Sequence, residues 1–152
     1  MRNPALVCGI LLTCLALPAE RPTQAKAEAL VHAAIAYARR TSLDQLIQET
    51  NRADGRFHVG TGGELYIFIY DLDGTCRAIG FDTAAVVGKN RMTLKDADGK
   101  PYIRDFINLA KAQGHGWLDY KKASPVNNKI EPKTSYVELF EGVVIGAGVY
   151  KE

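Results

Sequence analysis

Residues 64–71 read ELYIFIYD, and this segment limits the possible folds more than any other. Side chains of an extended strand alternate between two faces, so Leu65, Ile67 and Ile69 fall on one side and Tyr66, Phe68 and Tyr70 on the other. A strand that is apolar on both sides must be covered on both sides, which predicts a central strand with a layer above it and another below. Asp71-Leu72-Asp73-Gly74 follows as a tight turn into a second strand, about Thr75 to Phe81. The first connection is therefore a hairpin, and the sheet is antiparallel at this point.

The remaining segments supply the layers. KAEALVHAAIAYARR places Leu30, Val31, Ala34, Ile35 and Ala38 on one stripe and predicts a helix over Lys26 to Arg40. Ser42 and Gln45 fit a capping box at the start of a second helix, about Leu43 to Thr50. Pro101 stands in the first turn of a further helix, whose stripe is Tyr102, Ile103, Phe106, Ile107 and Ala110 and which Gly114 ends. Three strands complete the chain, about Gly116 to Lys121, Thr134 to Phe140 and Val143 to Tyr150. Short connections between consecutive strands predict an α+β domain: an antiparallel sheet of about five strands, N-terminal helices and one inserted helix.

The first residues carry a different message. Arg2 precedes Ala5 to Leu17, an uncharged and mostly apolar run that leads to Pro18 and Ala19. This pattern predicts a secretory signal peptide within residues 1–25 and a single mature domain over 26–152, placed in the periplasm or secreted. The run is shorter than the ~20 residues a spanning helix needs, so the mature form is not expected to span a membrane. Leu17-Pro18-Ala19 and Thr23-Gln24-Ala25 each offer small residues for the cut, and neither is a clean A-x-A. Cys8 and Cys14 fall in the leader, which leaves Cys76 without an internal disulfide partner and predicts a small half-buried hydrophobe in a strand.

Composition and motifs exclude several classes. A net charge of +2, with no run of lysines and arginines, argues against nucleic-acid binding. The chain has no G-x-S-x-G elbow, H-E-x-x-H, C-x-x-C or P-loop. Gly146-Ala147-Gly148 lacks the third glycine of a dinucleotide loop and precedes no helix. DLDG at 71–74 and KDADGK at 95–100 lack the later ligands of an EF-hand and read as turns. His32, His58 and His115 fall on a helix, a glycine-rich loop and a helix end, which gives no shared metal face. No catalysis, cofactor or metal is expected.

A binding site is the remaining expectation. Gly146 and Gly148 share a face of the last strand with Val144 and Tyr150, and two missing side chains leave space for a ligand or for close packing by a helix. Tyr66, Phe68 and Tyr70 could border that space. Lys133 follows Pro132 into the sheet region, and an ammonium held among aromatics needs a partner such as a small carboxylate. Trp117 and Tyr120 offer an apolar wall with a polar rim. In regular strands, however, 117 and 120 point to opposite faces, as do 133 and 136, so one pocket takes one member of each pair.

GKN at 88–90, KDADGKP at 95–101, GW-x-DY at 116–120, EPK-x-SYV at 131–137 and IG-x-G-x-Y at 145–150 recur in an order that resembles the single Cache domain family. These are the extracytoplasmic PAS-like sensor modules of bacterial chemoreceptors and histidine kinases. With ELYIFIYD, the resemblance covers about Lys26 to Tyr150. It implies a PAS-like fold, a long N-terminal helix against a five-stranded antiparallel sheet, with a pocket for small molecules, commonly short carboxylates. Carried onto this sequence, it implies Tyr66, Phe68, Trp117, Tyr120, Lys133 and Tyr136 as ligand-binding residues, with Lys133 the counter-ion of the acid. Ile79 stands where many relatives have histidine or tyrosine, which implies a more apolar ligand. Relatives signal through a transmembrane helix and an output domain, and this sequence contains neither. The implication is a free-standing binding module in signal transduction or chemotaxis that serves a separate membrane receptor or sensor kinase. The competing readings are an interaction module that keeps the fold without a ligand and, behind it, a small secreted hydrolase.

Overall fold

The structure is a computed structural model that describes residues 21–59 and 63–151. Residues 1–20 of the expected leader, with Cys8 and Cys14, lie outside the described residues. Helix α1 (Gln24–Arg40) begins where Thr23 Oγ1 accepts the Lys26 N–H at 3.3 Å. Helix α2 (Leu43–Asn51) begins where Ser42 Oγ accepts the Gln45 N–H at 3.1 Å, the serine half of the expected capping box. Ser42→Ala removes that acceptor and is expected to lower stability by about 1 kcal/mol, seen as a lower urea midpoint with an unchanged slope.

The chain continues through β1 (His58–Val59), β2 (Leu65–Asp71), β3 (Cys76–Ile79), α3 (Thr83–Val86), α4 (Tyr102–Gln113), β4 (His115–Ala123), β5 (Ile130–Phe140) and β6 (Val143–Tyr150). Neither β1 nor α3 was legible in the sequence, because two strand residues or a single helical turn are too short to show a period. Pro101 stands just ahead of α4 as its N-cap rather than inside the first turn. Before it, KDADGK forms the expected turn: Asp96 Oδ1 accepts from the N–H groups of Asp98 and Lys100, while Oδ2 accepts from Lys121 in β4. The turn is thereby fastened to the sheet edge. Gly114 ends α4 at a φ of 82°, which a residue with a side chain adopts poorly.

Strands pair antiparallel in the order β3-β2-β6-β5-β4. The short β1 lies along the same edge of β2 as β3: the Ile67 N–H donates to Phe57 O, and the Ile67 C=O accepts from Gly80. This is an α+β architecture built on a five-stranded antiparallel sheet. Alternation along β2 divides the core as expected. Leu65, Ile67 and Ile69 pack with Ile145, Ala147 and Val149 against the α1 stripe of Ala27, Val31, Ala34, Ile35 and Ala38. Tyr66, Phe68 and Tyr70 face the other way, toward Tyr102, Ile103, Phe106, Ile107 and Ala110 of α4. The α1 layer is mostly aliphatic, and the α4 layer is richer in aromatic rings. Among the described residues, no helix is long and apolar enough to cross a membrane.

Candidate functional site

Register decides which of the six expected site residues can meet. Tyr120 lies opposite Lys133 across β4 and β5, and Trp117 lies opposite Tyr136. Positions 120 and 133 face α4, in the layer that also holds Tyr66 and Phe68, whereas 117 and 136 face α1. Four of the six therefore come together, and Trp117 and Tyr136 stand on the far side of the sheet. There the Tyr136 hydroxyl donates to Glu138 Oε2 at 3.1 Å, and its ring packs 5.5 Å from Trp117 and 5.7 Å from His32. The family resemblance had pooled residues that strand parity separates.

The space expected above Gly146 and Gly148 is occupied. A methyl group on Gly146 would meet the Phe68 ring and, at 3.0 Å, the Tyr136 carbonyl. One on Gly148 would meet Ser135 Oγ and, at 2.5 Å, the Thr134 carbonyl. Each glycine admits a side chain from a neighbouring strand, neither a helix nor an open cavity. Phe68, lying across β6, stacks on Phe106 of α4 with centroids 5.3 Å apart.

Lys133 is 1% exposed, and its Nζ donates to the Tyr66 hydroxyl at 3.1 Å. The ammonium sits 4.3 Å from the Tyr66 ring centroid and 4.6 Å from that of Tyr150. Among the described residues no carboxylate oxygen comes within 4.0 Å of it. Burial holds the Lys133 pKa well below that of an ordinary lysine, the nearby charge of Lys122 adds to the shift, and Glu64 opposes it. Burial also pushes the Tyr66 and Tyr120 phenols well above their ordinary value. Tyr120 shares a hydrogen bond with Ser135 Oγ at 3.0 Å, and the Tyr150 hydroxyl donates to Ala123 O at 2.7 Å. The result is a buried amine held by the Tyr66 hydroxyl and by the ring faces of Tyr66 and Tyr150, with no carboxylate within 4.0 Å among the described residues.

Beside it, Tyr66, Phe68, Tyr70, Ile79, Tyr102, Phe106, Tyr120 and Lys122 line a cavity of about 10 Å³. That is room for about one water, so the aromatic layer is closed in this conformation. Tyr102 stacks on Tyr120 at 4.6 Å and forms the cover from α4. Lys122 also lines a neighbouring open cavity of about 270 Å³ with Phe81, Asp82, Arg91 and Asn128. Burial lowers the Lys122 pKa to about 8, helped by repulsion from Arg91 and opposed by Asp82 and Cys76. Sequence reading passed over Lys122, yet simple alternation from Tyr120 puts it on the same face. Tyr102 and Phe106 had been assigned only to a helix stripe.

Tyr120 and Lys133 also line an open groove whose rim carries paired charges. In this groove of about 330 Å³ between the 96–100 turn and β4, Lys121 bonds Asp98 at 3.0 Å and Lys151 bonds Asp119 at 2.6 Å. Cys76 is buried, and burial raises its thiol pKa to about 11, so it carries little thiolate at neutral pH. Among the described residues no cluster of histidine, cysteine or carboxylate side chains could hold a metal ion.

The sequence profile of the Cache domain family matches residues 57–152. A methyl-accepting chemotaxis protein of Pseudomonas putida, McpP, is 36% identical over 59 residues, 38% of this chain and 11% of that protein. A sensor histidine kinase of Rhizobium johnstonii, MctS, is 35% identical over 91 residues, 59% of this chain and 19% of that protein. The matched stretch is thus a minor part of each relative. Among solved structures, the periplasmic sensor domain of a chemotaxis protein superposes with a TM-score of 0.65 at 27% identity, covering 85% of this chain and 95% of that one. A Cache chemosensory domain solved for its recognition of carboxylic acids gives 0.67 at 24% identity over 85% and 93% of the two chains. A methyl-accepting chemotaxis protein from Vibrio parahaemolyticus gives 0.69 at 21% identity over 83% and 86%, and these last two show the shared fold.

Proposed function

This chain belongs to the Cache domain family, and on that premise we propose that it is an extracytoplasmic sensor module that binds a short carboxylate on the α4 side of its sheet, without catalysis. The observation that carries this reading is Lys133, a fully buried lysine with hydroxyl and aromatic neighbours and no acid within 4.0 Å among the described residues. A protein keeps such a group at a cost in stability, and an incoming anion supplies the missing partner. The carboxylic-acid recognition attributed to one structural relative points the same way.

Tyr66, Phe68, Tyr120 and Lys133 form the proposed binding set, joined by Tyr102 and Lys122, while Trp117 and Tyr136 serve the packing of α1. Ile79 in the cavity wall favours a ligand with an apolar portion. Because the cavity admits about one water, the ligand enters by movement of α4 and the 81–91 segment away from the sheet. A motion of that kind is what a sensor needs, since ligand occupancy must alter shape to be read. The expected leader supports a location outside the cytoplasm, and kinship with chemoreceptor and kinase segments favours a membrane-bound signalling partner.

A thermal-shift series with acetate, propionate, pyruvate and lactate tests the reading. Ligand at about a hundred times its Kd adds about 2.7 kcal/mol to the stability of the native state. At least one acid is expected to raise the melting temperature by several degrees. No rise with any of them removes the carboxylate reading and leaves the fold as an interaction module.

A further inference from the structure

The mouth of the site carries charge that one carboxylate does not use. Lys122 and Lys133 are diagonal neighbours on one face of the β4–β5 pair, since Tyr120 pairs with Lys133 and Lys122 with Glu131. Their Cβ atoms are therefore roughly 7–8 Å apart or a little closer. Tyr120 lies between them, stacked under Tyr102. Arg91 lines the open cavity together with Lys122.

Neither Lys122 nor Arg91 has a carboxylate within 4.0 Å among the described residues. Neither nearby acid pairs with them. Glu131, directly across from Lys122, accepts from Asn127 Nδ2 at 2.7 Å with one oxygen, while the other is buried without a hydrogen bond among the described residues and lies 4.0 Å from Arg21. Asp82 shares the cavity but is exposed at its rim, and it begins α3 from a left-handed backbone, φ 54° and ψ 39°. Arg91 repels Lys122 at the mouth and Lys122 repels Lys133 farther in, opposed in part by Asp82 and Glu64.

We propose that Lys122 and Arg91 form a second anion seat, so that the site takes a small organic dianion with one acid group at Lys133, the other at the mouth, and a short apolar spine along Tyr120 and Tyr102. The inference rests on Lys133 being the first seat. Phe68, Ile79, Ile103 and Phe106 in the cavity wall offer apolar contact to a spine of methylenes.

Calorimetric titration at constant ionic strength tests it with matched pairs, propionate against succinate and butyrate against glutarate. In the wild-type domain the dianion of at least one pair is expected to bind about tenfold or more tightly than its monoanion, the gain from one charge-assisted contact. Arg91→Gln should bring the dianion down to the level of the monoanion and leave monoanion affinity within a fewfold of wild type; Lys122→Gln should also remove the dianion preference, while Lys122→Arg keeps it. Melting temperatures of all three variants report folding, and Arg91→Gln alone decides the matter if Lys122→Gln is unstable. Monoanions binding as tightly as dianions, or a loss at Arg91→Gln shared equally by both series, overturns the second seat and leaves the first intact. Binding of neither series overturns both.

Discussion

Replacing Lys133 with methionine is expected to raise the melting temperature of the ligand-free domain and abolish its response to short carboxylates. The side chains have similar reach, and the replacement removes an amine that is 1% exposed, whose charging the burial opposes and which no acid approaches within 4.0 Å among the described residues. Exchange of buried charge for an apolar group of like volume is neutral or stabilising by about 1–4 kcal/mol. Loss of the Lys133–Tyr66 hydrogen bond offsets about 1 kcal/mol of that. Over most of the range the remainder is a rise of several degrees for a domain of this size.

The pH dependence separates this cause from general repacking. Lys133 has a depressed pKa in the folded state, so between that value and the unfolded value of about 10.4 the unfolded chain binds more protons. Stability therefore increases with pH through that window and levels off below the folded pKa. Lys122, lowered to about 8, contributes a slope of the same sign. The buried phenols act oppositely, but only above about pH 10, where unfolded tyrosines begin to ionise. Denaturant titrations between pH 7 and 9.5 should thus show a positive slope in wild type and a smaller one in Lys133→Met. Equal slopes, with the methionine variant several kcal/mol less stable, would sink the reading of Lys133 as a stored charge and make it a structural hydrogen-bond donor.

Gly148→Ala is expected to disrupt the site and much of the sheet's stability together. Its methyl group would lie 2.5 Å from the Thr134 carbonyl, which is backbone and cannot swing aside, and would also strike Ser135 Oγ. Overpacking of this kind costs about 1–3 kcal/mol or more. Any relief requires β5 and β6 to part at the register pair Ser135–Gly148, next to Lys133–Tyr150 and beside the Tyr120–Ser135 hydrogen bond. Gly116→Ala is the control: its methyl group meets only the end of the Leu109 side chain, from 3.0 Å, and the loss should be smaller. Equal melting temperatures for the two variants would mean that β5 tolerates displacement at Ser135, contrary to its burial.

What could be read in the chain follows from which signals are local. The two-sided alternation of ELYIFIYD identified a central strand, and every one of its residues from Leu65 to Tyr70 is buried. The helix stripes and the last strand were equally plain, because each is long enough to repeat its period. Strand parity also held the division of the six site residues. The glycines of β6 were the harder case. Alternation gives their face, but only register shows that Phe68 and Ser135 are the neighbours that fill it. Lys133 was legible as a lysine in a strand, whereas its enclosure by Tyr66 and Tyr150 depends on contacts between residues far apart in sequence.

The placement of Trp117 has a use of its own. It is the only tryptophan, and it lies half-buried on the α1 side of the sheet, across from the proposed site. A ligand held among Tyr66, Tyr120 and Lys133 cannot touch it. Steady indole emission during saturation would describe a rearrangement confined to the aromatic layer. A change would register movement that had passed through the sheet toward α1, which makes the chain's own fluorescence a readout of transmission rather than of occupancy.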